Sequence, residues 1–158
     1  MPKVHTCLWF DSQAEEAANL YVSLVPNSKV LSIQRNGPGG PGPEGQALTV
    51  EFELDGHRVT GLNGGPVFQQ TEAASLVLDC DGQAEVDRYW DGLLAGGGTP
   101  SQCGWLKDRF GVSWQVIPRQ LYECIGGPDP AGRGRAMQAM LQMVKLDVAK
   151  LQAAYAGG

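Results

Sequence analysis

The sequence predicts an α+β protein built from two βαβββ modules in tandem. The first observation behind this prediction is an internal repeat, since self-similarity at one fixed offset is typical of a duplicated unit. An offset of 70 residues aligns Leu8 with Leu78, Asp11 with Asp81, Gln13-Ala14-Glu15 with Gln83-Ala84-Glu85, and Leu24 with Leu94. The second observation is that each copy has the same order of strand-like residues, an Asp and helix-like residues.

Length and composition predict an ordinary globular fold. The 158 residues, 42% hydrophobic and 18% charged, suit one domain or two half-domains too small to be stable apart. We therefore predict a single domain over residues 1–158. Module one covers about 3–66, module two about 74–118, and a helical extension about 119–158.

Charge and cysteine spacing exclude several classes of protein. A net charge of −5 disfavours nucleic acid and anionic membranes, which need a basic surface. The N-terminus has no signal-peptide pattern and no apolar run is long enough for a membrane span, so we predict a cytoplasmic protein. The four cysteines, Cys7, Cys80, Cys103 and Cys124, are too far apart in sequence for a zinc motif and are interpreted as reduced thiols.

Module one begins with a strand over residues 4–10, in which His5, Cys7 and Trp9 share one face and leave the more apolar face to a helix. The spacing of Ser12 and Glu15 predicts a capping box and a helix over about 13–25. Its predicted buried stripe is Ala17, Leu20, Tyr21 and Leu24.

The rest of module one is predicted as three strands. They cover residues 29–35, 47–54 and 58–63, and the last two are joined by an Asp55-Gly56 hairpin turn. The Gly- and Pro-rich residues 37–45 are either a lid, a phosphate cradle or a mobile loop. We favour the mobile loop, because prolines remove amide donors and no helix follows.

Module two repeats this order. Strands are predicted over residues 75–80, 103–108 and 112–117, with a very short one around 98–101, and a helix over about 83–95. A short helix follows Pro118. One closing helix over 131–155 carries an apolar face rich in methionine, which is more often core or subunit contact than a cofactor site.

The segment over residues 103–115, CGWLKDRFGVSWQ, resembles the signature of the PhnB-like branch of the vicinal oxygen chelate superfamily, as do residues 11–17, 61–65 and 145–151. This superfamily includes glyoxalase I, extradiol dioxygenases and fosfomycin-resistance proteins. The resemblance implies a glyoxalase-like curved mixed sheet with an extra C-terminal helix, and a homodimer.

The branch is often labelled demethylubiquinone methyltransferase, which implies S-adenosylmethionine. That cofactor usually needs a Gly-rich turn between a strand and a helix. The two strand-to-helix turns, residues 10–13 and 80–83, are not of that kind. The sequence therefore argues against the methyltransferase label.

The superfamily's usual chemistry uses a divalent metal as a Lewis acid. By resemblance, the metal positions fall on His5, Ser75 and Gln115, with a fourth near Thr60 or Gly61. Only His5 is a good ligand. We therefore expect no cofactor and no tightly held metal, with room only for a weakly bound divalent ion.

Aromatic walls and a few polar groups predict a small-molecule pocket. Its candidate residues are His5, Cys7, Trp9, Glu51, Asn63, Cys103, Trp105 and Gln115. The competing interpretation is that the tryptophans are core, Asn63 a turn residue and Cys103 an inert thiol. His5 is the best candidate catalytic residue, as a general base.

Three functions fit the sequence. The first is metal-free binding of a small molecule. The second is a metal-dependent lyase, isomerase or dioxygenase that uses His5 and Gln115, with Glu51 as a further ligand. The third is an assembly module whose Met-rich helix packs on a twin subunit, and a homodimer is expected under all three.

Overall fold

The computed structural model describes residues 2–158. The chain divides into two compact units, one ending at Gln70 and the other beginning at Thr71, and each is described by itself. This boundary lies between the two predicted modules. No helix of the described residues is long and apolar enough to span a bilayer.

The N-terminal unit is one βαβββ module, as predicted. Its elements are β1 (Thr6–Phe10), α1 (Ala14–Leu24), β2 (Lys29–Arg35), β3 (Ala47–Leu54) and β4 (His57–Asn63). The sheet order is β1-β4-β3-β2. β1 runs parallel to β4, and the other neighbours are antiparallel.

Alternation along β3 separates a buried face from an open face. Val50 and Phe52 are fully buried, and the Phe52 ring lies 6.2 Å from the Tyr21 ring of α1. Glu51 and Glu53 point to the opposite side of the sheet. This side, which also carries Cys7, Trp9, Arg58, Thr60 and Leu62, is called the open face below.

The start of α1 corrects the predicted capping box. The N-cap residue is Gln13, and no side chain of the cap bonds to the helix. Instead, the Ala14 amide donates to Oδ1 of Asn63 at 2.9 Å, and Glu15 pairs with Arg35. The capping prediction was wrong because the first amide of the helix bonds to the side chain of Asn63 in β4 and not to Ser12.

The predicted α1 stripe was partly wrong as well. The buried residues of the helix are Ala14, Ala17, Ala18 and Tyr21. Leu20 and Leu24 stay half-exposed. Small residues occupy the contact because α1 lies close to the sheet: a Cβ built on Gly61 of β4 would be 3.1 Å from the Cβ of Ala14.

The predicted hairpin and loop both have the expected backbone. Asp55 and Gly56 take positive φ angles of 48° and 85°, as a two-residue type I′ turn requires. Residues 37–45 contain no helix or strand, and they fold around the buried Asn36, whose carbonyl accepts the Gly45 amide at 2.8 Å. The mobility of this loop stays a prediction.

The C-terminal unit repeats the module. It contains β5 (Leu76–Cys80), α2 (Gln83–Leu94), β6 (Thr99–Pro100), β7 (Trp105–Lys107) and β8 (Ser113–Pro118), in the order β5-β8-β7-β6. β1 and β5 start 70 residues apart, as do β2 and β6, but β3 and β7 start 58 apart (105 − 47). The offset falls because β6 is shorter than β2, and because only residues 101–104 join β6 to β7 whereas residues 36–46 join β2 to β3.

The C-terminal extension corrects a second prediction. The closing helix over residues 131–155 is two helices, α4 (Pro130–Leu141) and α5 (Val148–Ala156), preceded by α3 (Arg119–Ile125). Between α4 and α5, the carbonyls of Met143 and Val144 each accept an amide at 2.8 Å, from Cys103 and Gly104. The helix breaks because these carbonyls bond to the sheet module instead of to the next helical turn.

The apolar periodicity continues across this break because both sides contribute to one core. Its buried members are Ile117, Leu121, Cys124, Ala136, Leu146 and Leu151. Met140 and Met143 pack against it, whereas Met137 is partly exposed. Two of the methionines therefore belong to the core, whereas Leu141 and Val144 of the predicted apolar face are exposed.

Candidate functional site

Glu51 lies at the centre of the open face of the N-terminal unit. Its side chain is 22% exposed. Thr60 donates its hydroxyl to one carboxylate oxygen at 2.6 Å, and Nε of Arg58 donates to the other at 2.9 Å. The strand register places Thr60 directly between Glu51 and Cys7.

The protonation of this group follows from its neighbours. Burial opposes ionisation of Glu51, but hydrogen bonds from Thr60 and Arg58, together with the charges of Arg58 and His5, outweigh it and lower the pKa of the carboxyl. Burial and then the Glu51 charge raise the pKa of the Cys7 thiol. At neutral pH the open face therefore holds a carboxylate beside a protonated thiol, and Cys7 is a poor nucleophile.

His5 is placed slightly differently from the prediction. β1 begins at Thr6, so His5 is the exposed residue just before the strand. The charge of His5 is the smallest of the contributions that lower the pKa of the Glu51 carboxyl, after those of Thr60 and Arg58.

Trp9 forms a fixed wall at one end of the open face. Its indole nitrogen donates to the Gly65 carbonyl at 2.9 Å, and the Phe68 ring meets it edge-on at 4.8 Å. The Gln70 side chain donates to the Trp9 carbonyl. A Cβ at Gly64 would lie 2.2 Å from the Trp9 ring, so only glycine lets the chain pass this closely.

Asn63 has a different position from the other candidates of this unit. Besides accepting the Ala14 amide, it donates to the Ala47 carbonyl at 2.9 Å. It therefore braces α1 against the sheet on the face opposite Glu51. His5, Cys7, Trp9 and Glu51 are the predicted residues that gather around the open face.

Sequence reasoning missed Arg58, and it considered Thr60 only as a metal position. Both alternate with Val59 and Gly61 along β4, on the same side as Glu51. Pairing β3 with β4 outward from the Asp55-Gly56 turn would have placed them beside the carboxylate.

The remaining candidates belong to the C-terminal unit. Gln115 on β8 donates its side-chain amide to the Ser75 hydroxyl at 2.9 Å, and Trp105 on β7 lies opposite Gln115 in the register. Cys103 precedes β7 in a left-handed conformation, with φ of 59°. The register and this hydrogen bond therefore bring Ser75, Trp105 and Gln115 together.

The metal-equivalent residues do not fit a tight divalent site. The Thr60 hydroxyl donates its hydrogen bond to Glu51, and Gly61 has no side chain. The side chains of Gln115 and Ser75 are hydrogen-bonded to each other. The uncharged oxygens of amide and hydroxyl side chains are weak ligands for divalent ions. Among residues 2–158, no group of three or more His, Cys, Asp or Glu side chains is arranged to hold a metal.

Comparison with known proteins gives the family. A family model described as 3-demethylubiquinone-9 3-methyltransferase matches residues 2–117. A PhnB protein from Bacillus cereus is 33% identical, covering 74% of this chain and 99% of its own, with a TM-score of 0.69. No protein of curated function matches.

Two more distant solved structures share the fold. Protein PA1353 from Pseudomonas aeruginosa is 20% identical over 75% of this chain and 98% of its own, with a TM-score of 0.62. A mutant of the fosfomycin resistance protein FosX from Listeria monocytogenes, complexed with Mn(II) and 1S,2S-dihydroxypropylphosphonic acid, is 14% identical over 74% and 93%, with a TM-score of 0.53.

The family match ends at residue 117, so α3, α4 and α5 lie beyond it. The part that it covers contains both βαβββ modules. On this coverage and on the identity to the Bacillus protein, the chain belongs to the 3-demethylubiquinone-9 3-methyltransferase family, the PhnB-like branch of the vicinal oxygen chelate superfamily.

Proposed function

We propose that this PhnB-like protein binds a small polar molecule on the open face of its N-terminal unit, without a tightly held metal. The observation that carries the proposal is the ionised, partly buried Glu51, held by Thr60 and Arg58. A carboxylate is costly to keep away from water. A few polar groups fixed beside an aromatic wall such as Trp9 are what a ligand site needs.

The geometry indicates the class of ligand. Each carboxylate oxygen can accept more than one hydrogen bond, so Glu51 keeps acceptor capacity after binding Thr60 and Arg58. A ligand with hydroxyl or amino donors would use that capacity, while its apolar part contacts the Trp9 ring. The His5 imidazole is the candidate general base if the bound molecule reacts.

Methyl transfer is not proposed, because the helix starts do not fit S-adenosylmethionine. The first amide of α1 is bonded to Asn63. At α2, the Asp81 amide donates to the Glu85 carboxylate at 2.8 Å. At each helix start, a side chain of the chain itself therefore takes one of the backbone donors that a cofactor would use.

A metabolite screen by thermal shift in chelator-treated buffer tests the proposal. Compounds that raise the Tm of the wild type should raise it far less in Glu51→Gln. The matched control is Glu53→Gln, which alters a carboxylate two residues along the same face. Binding that is equal in Glu51→Gln and wild type, or that needs added metal, would contradict the proposal.

The second candidate function is a metal-dependent lyase, isomerase or dioxygenase. It is favoured by the electrostatic coupling of His5 to Glu51, since imidazole and carboxylate are common metal ligands. Elemental analysis and titration with nickel, manganese, zinc and iron, on wild type and His5→Ala, decide between the two. A stoichiometric metal that is lost in His5→Ala would replace metal-free binding.

The cytoplasmic location and the homodimer stay predictions. Sedimentation of the purified chain tests the second of these. A monomer at micromolar concentration would contradict it, and would also remove the reason to regard the chain as an assembly module.

A further inference from the structure

The C-terminal unit contains a cavity of about 190 Å³ on its sheet, with Trp105, Lys107 and Ser113 in its lining. Lys107 and Ser113 are direct cross-strand neighbours of β7 and β8, and Thr99 of β6 continues the same row. The volume equals that of roughly six water molecules at the ~30 Å³ that each occupies in the liquid. It suits a small organic molecule.

The side chain of Ser113 is a buried polar group for which the described part of the fold supplies no hydrogen-bond partner. The residue is 1% exposed, and its hydroxyl has no hydrogen-bond partner within residues 2–158. A buried hydroxyl left without a hydrogen-bond partner destabilises the folded state. The oxygen itself is closed to water, so a molecule bound in the cavity that Ser113 lines would supply the missing partner once the Ser113 side chain turns toward it.

Lys107 indicates the charge of that molecule. Its ammonium forms an ion pair with Glu72, which also lines the cavity. Glu72 is the more exposed partner, with a side chain 63% exposed, and it lies in the segment before β5 rather than on the sheet. The chain's own carboxylate therefore shows what Lys107 binds, and its exposed position lets it be displaced.

We propose that this cavity binds a small carboxylic acid, whose carboxylate replaces Glu72 on Lys107 and bonds to the Ser113 hydroxyl while its apolar body packs against Trp105. This proposal rests on the proposed function, because both assume that the protein binds small molecules. The cavity shares no residue with the site around Glu51, so it would be a second binding site, with carboxylic acids as its ligand class.

Benzoate is the probe, and benzamide is the matched neutral probe of the same shape. Binding to the full chain is followed by tryptophan fluorescence and by calorimetry. Benzoate should bind saturably and benzamide at least tenfold more weakly, because only benzoate carries the charge that Lys107 recognises. Equal binding of the two, or no binding of benzoate at millimolar concentration, would overturn the inference.

Three variants locate the site. Lys107→Met should weaken benzoate binding tenfold or more. Ser113→Ala should weaken it roughly fivefold, the equivalent of one hydrogen bond of about 1 kcal/mol, without lowering the Tm, because the hydroxyl has no partner in the protein. Glu72→Gln should tighten binding, since the competing carboxylate is gone.

Lys145→Met is the control, since Lys145 forms a comparable lysine–carboxylate pair with Asp87 in the same unit and should leave benzoate binding unchanged. If Lys145→Met weakens binding as much as Lys107→Met, general charge and not this cavity binds the probe. The proposed function has its own readout in Glu51→Gln. Ligands that depend on Glu51 while benzoate fails to bind would overturn this inference alone.

Discussion

The same three residues, Gln-Ala-Glu, stand at the start of both module helices. Their side chains make different contacts in the two units. In the N-terminal unit, Gln13 is exposed and makes no cap, while Glu15 pairs with Arg35. In the C-terminal unit, Gln83 accepts the Val148 amide at 2.8 Å and donates to the Leu146 carbonyl at 3.0 Å.

The cause of this difference is the C-terminal extension. Leu146 and Val148 belong to it, and within the C-terminal unit the extension packs against the second module. A duplicated sequence therefore repeats the elements of the fold but not their contacts. The neighbours that each copy acquires decide what an identical side chain stabilises.

The largest expected effect comes from removing the apolar contact of the extension. Leu146 is fully buried, so Leu146→Ala should lower the free energy of unfolding by about 2–5 kcal/mol. The control is Leu141→Ala, in the same extension but 48% exposed. Urea titration measures both variants, and equal losses would show that Leu146 does not anchor the extension.

The next effect separates the two glutamines. Gln83→Ala leaves the Val148 amide and the Leu146 carbonyl without their partner and should cost about 1–3 kcal/mol. Gln13→Ala changes an exposed side chain and should stay within about 0.5 kcal/mol. The comparison would fail if urea titration gave the two variants the same midpoint.

A smaller effect is expected at the start of α1. Asn63→Ala removes the side chain that accepts the Ala14 amide and should cost about 0.5–2 kcal/mol, the usual value of a helix cap. Ser12→Ala should change nothing measurable, because Ser12 does not cap the helix. Thermal unfolding of both variants checks this, and a loss in Ser12→Ala would restore the capping box.

The smallest effect concerns thiol chemistry in the two units. The Glu51 charge contributes to the raised pKa of Cys7, so Glu51→Gln should lower that pKa and speed alkylation of Cys7 a few-fold at pH 8. Burial raises the pKa of Cys80 to about 12, and its alkylation should be negligible in the folded protein. Mass spectrometry of labelled peptides gives both rates, with Glu53→Gln as control.

Local patterns predicted the elements well, and the site only in part. The alternation of β3 and the Asp55-Gly56 turn gave the hairpin within a residue, and they put Glu51 on the correct face. These patterns did not identify Arg58 as the partner of Glu51. Which side chains pair across two strands depends on the strand register as well as on the face of the sheet that each side chain occupies. The metal-equivalent positions came from resemblance, and the hydrogen bond between two of them, Ser75 and Gln115, could not be seen in the sequence.

By itself, the sequence determined two βαβββ modules, the approximate limits of their helices and strands, and the separation of an apolar from a polar face in β3. These features arise from residues a few positions apart, which repeat with the period of a strand or a helix. Only the tertiary structure decided that Asn63 caps a helix 49 residues away, and that Gln83 holds a segment 65 residues away. Such bonds depend on which distant groups the fold brings together, and no local period records them.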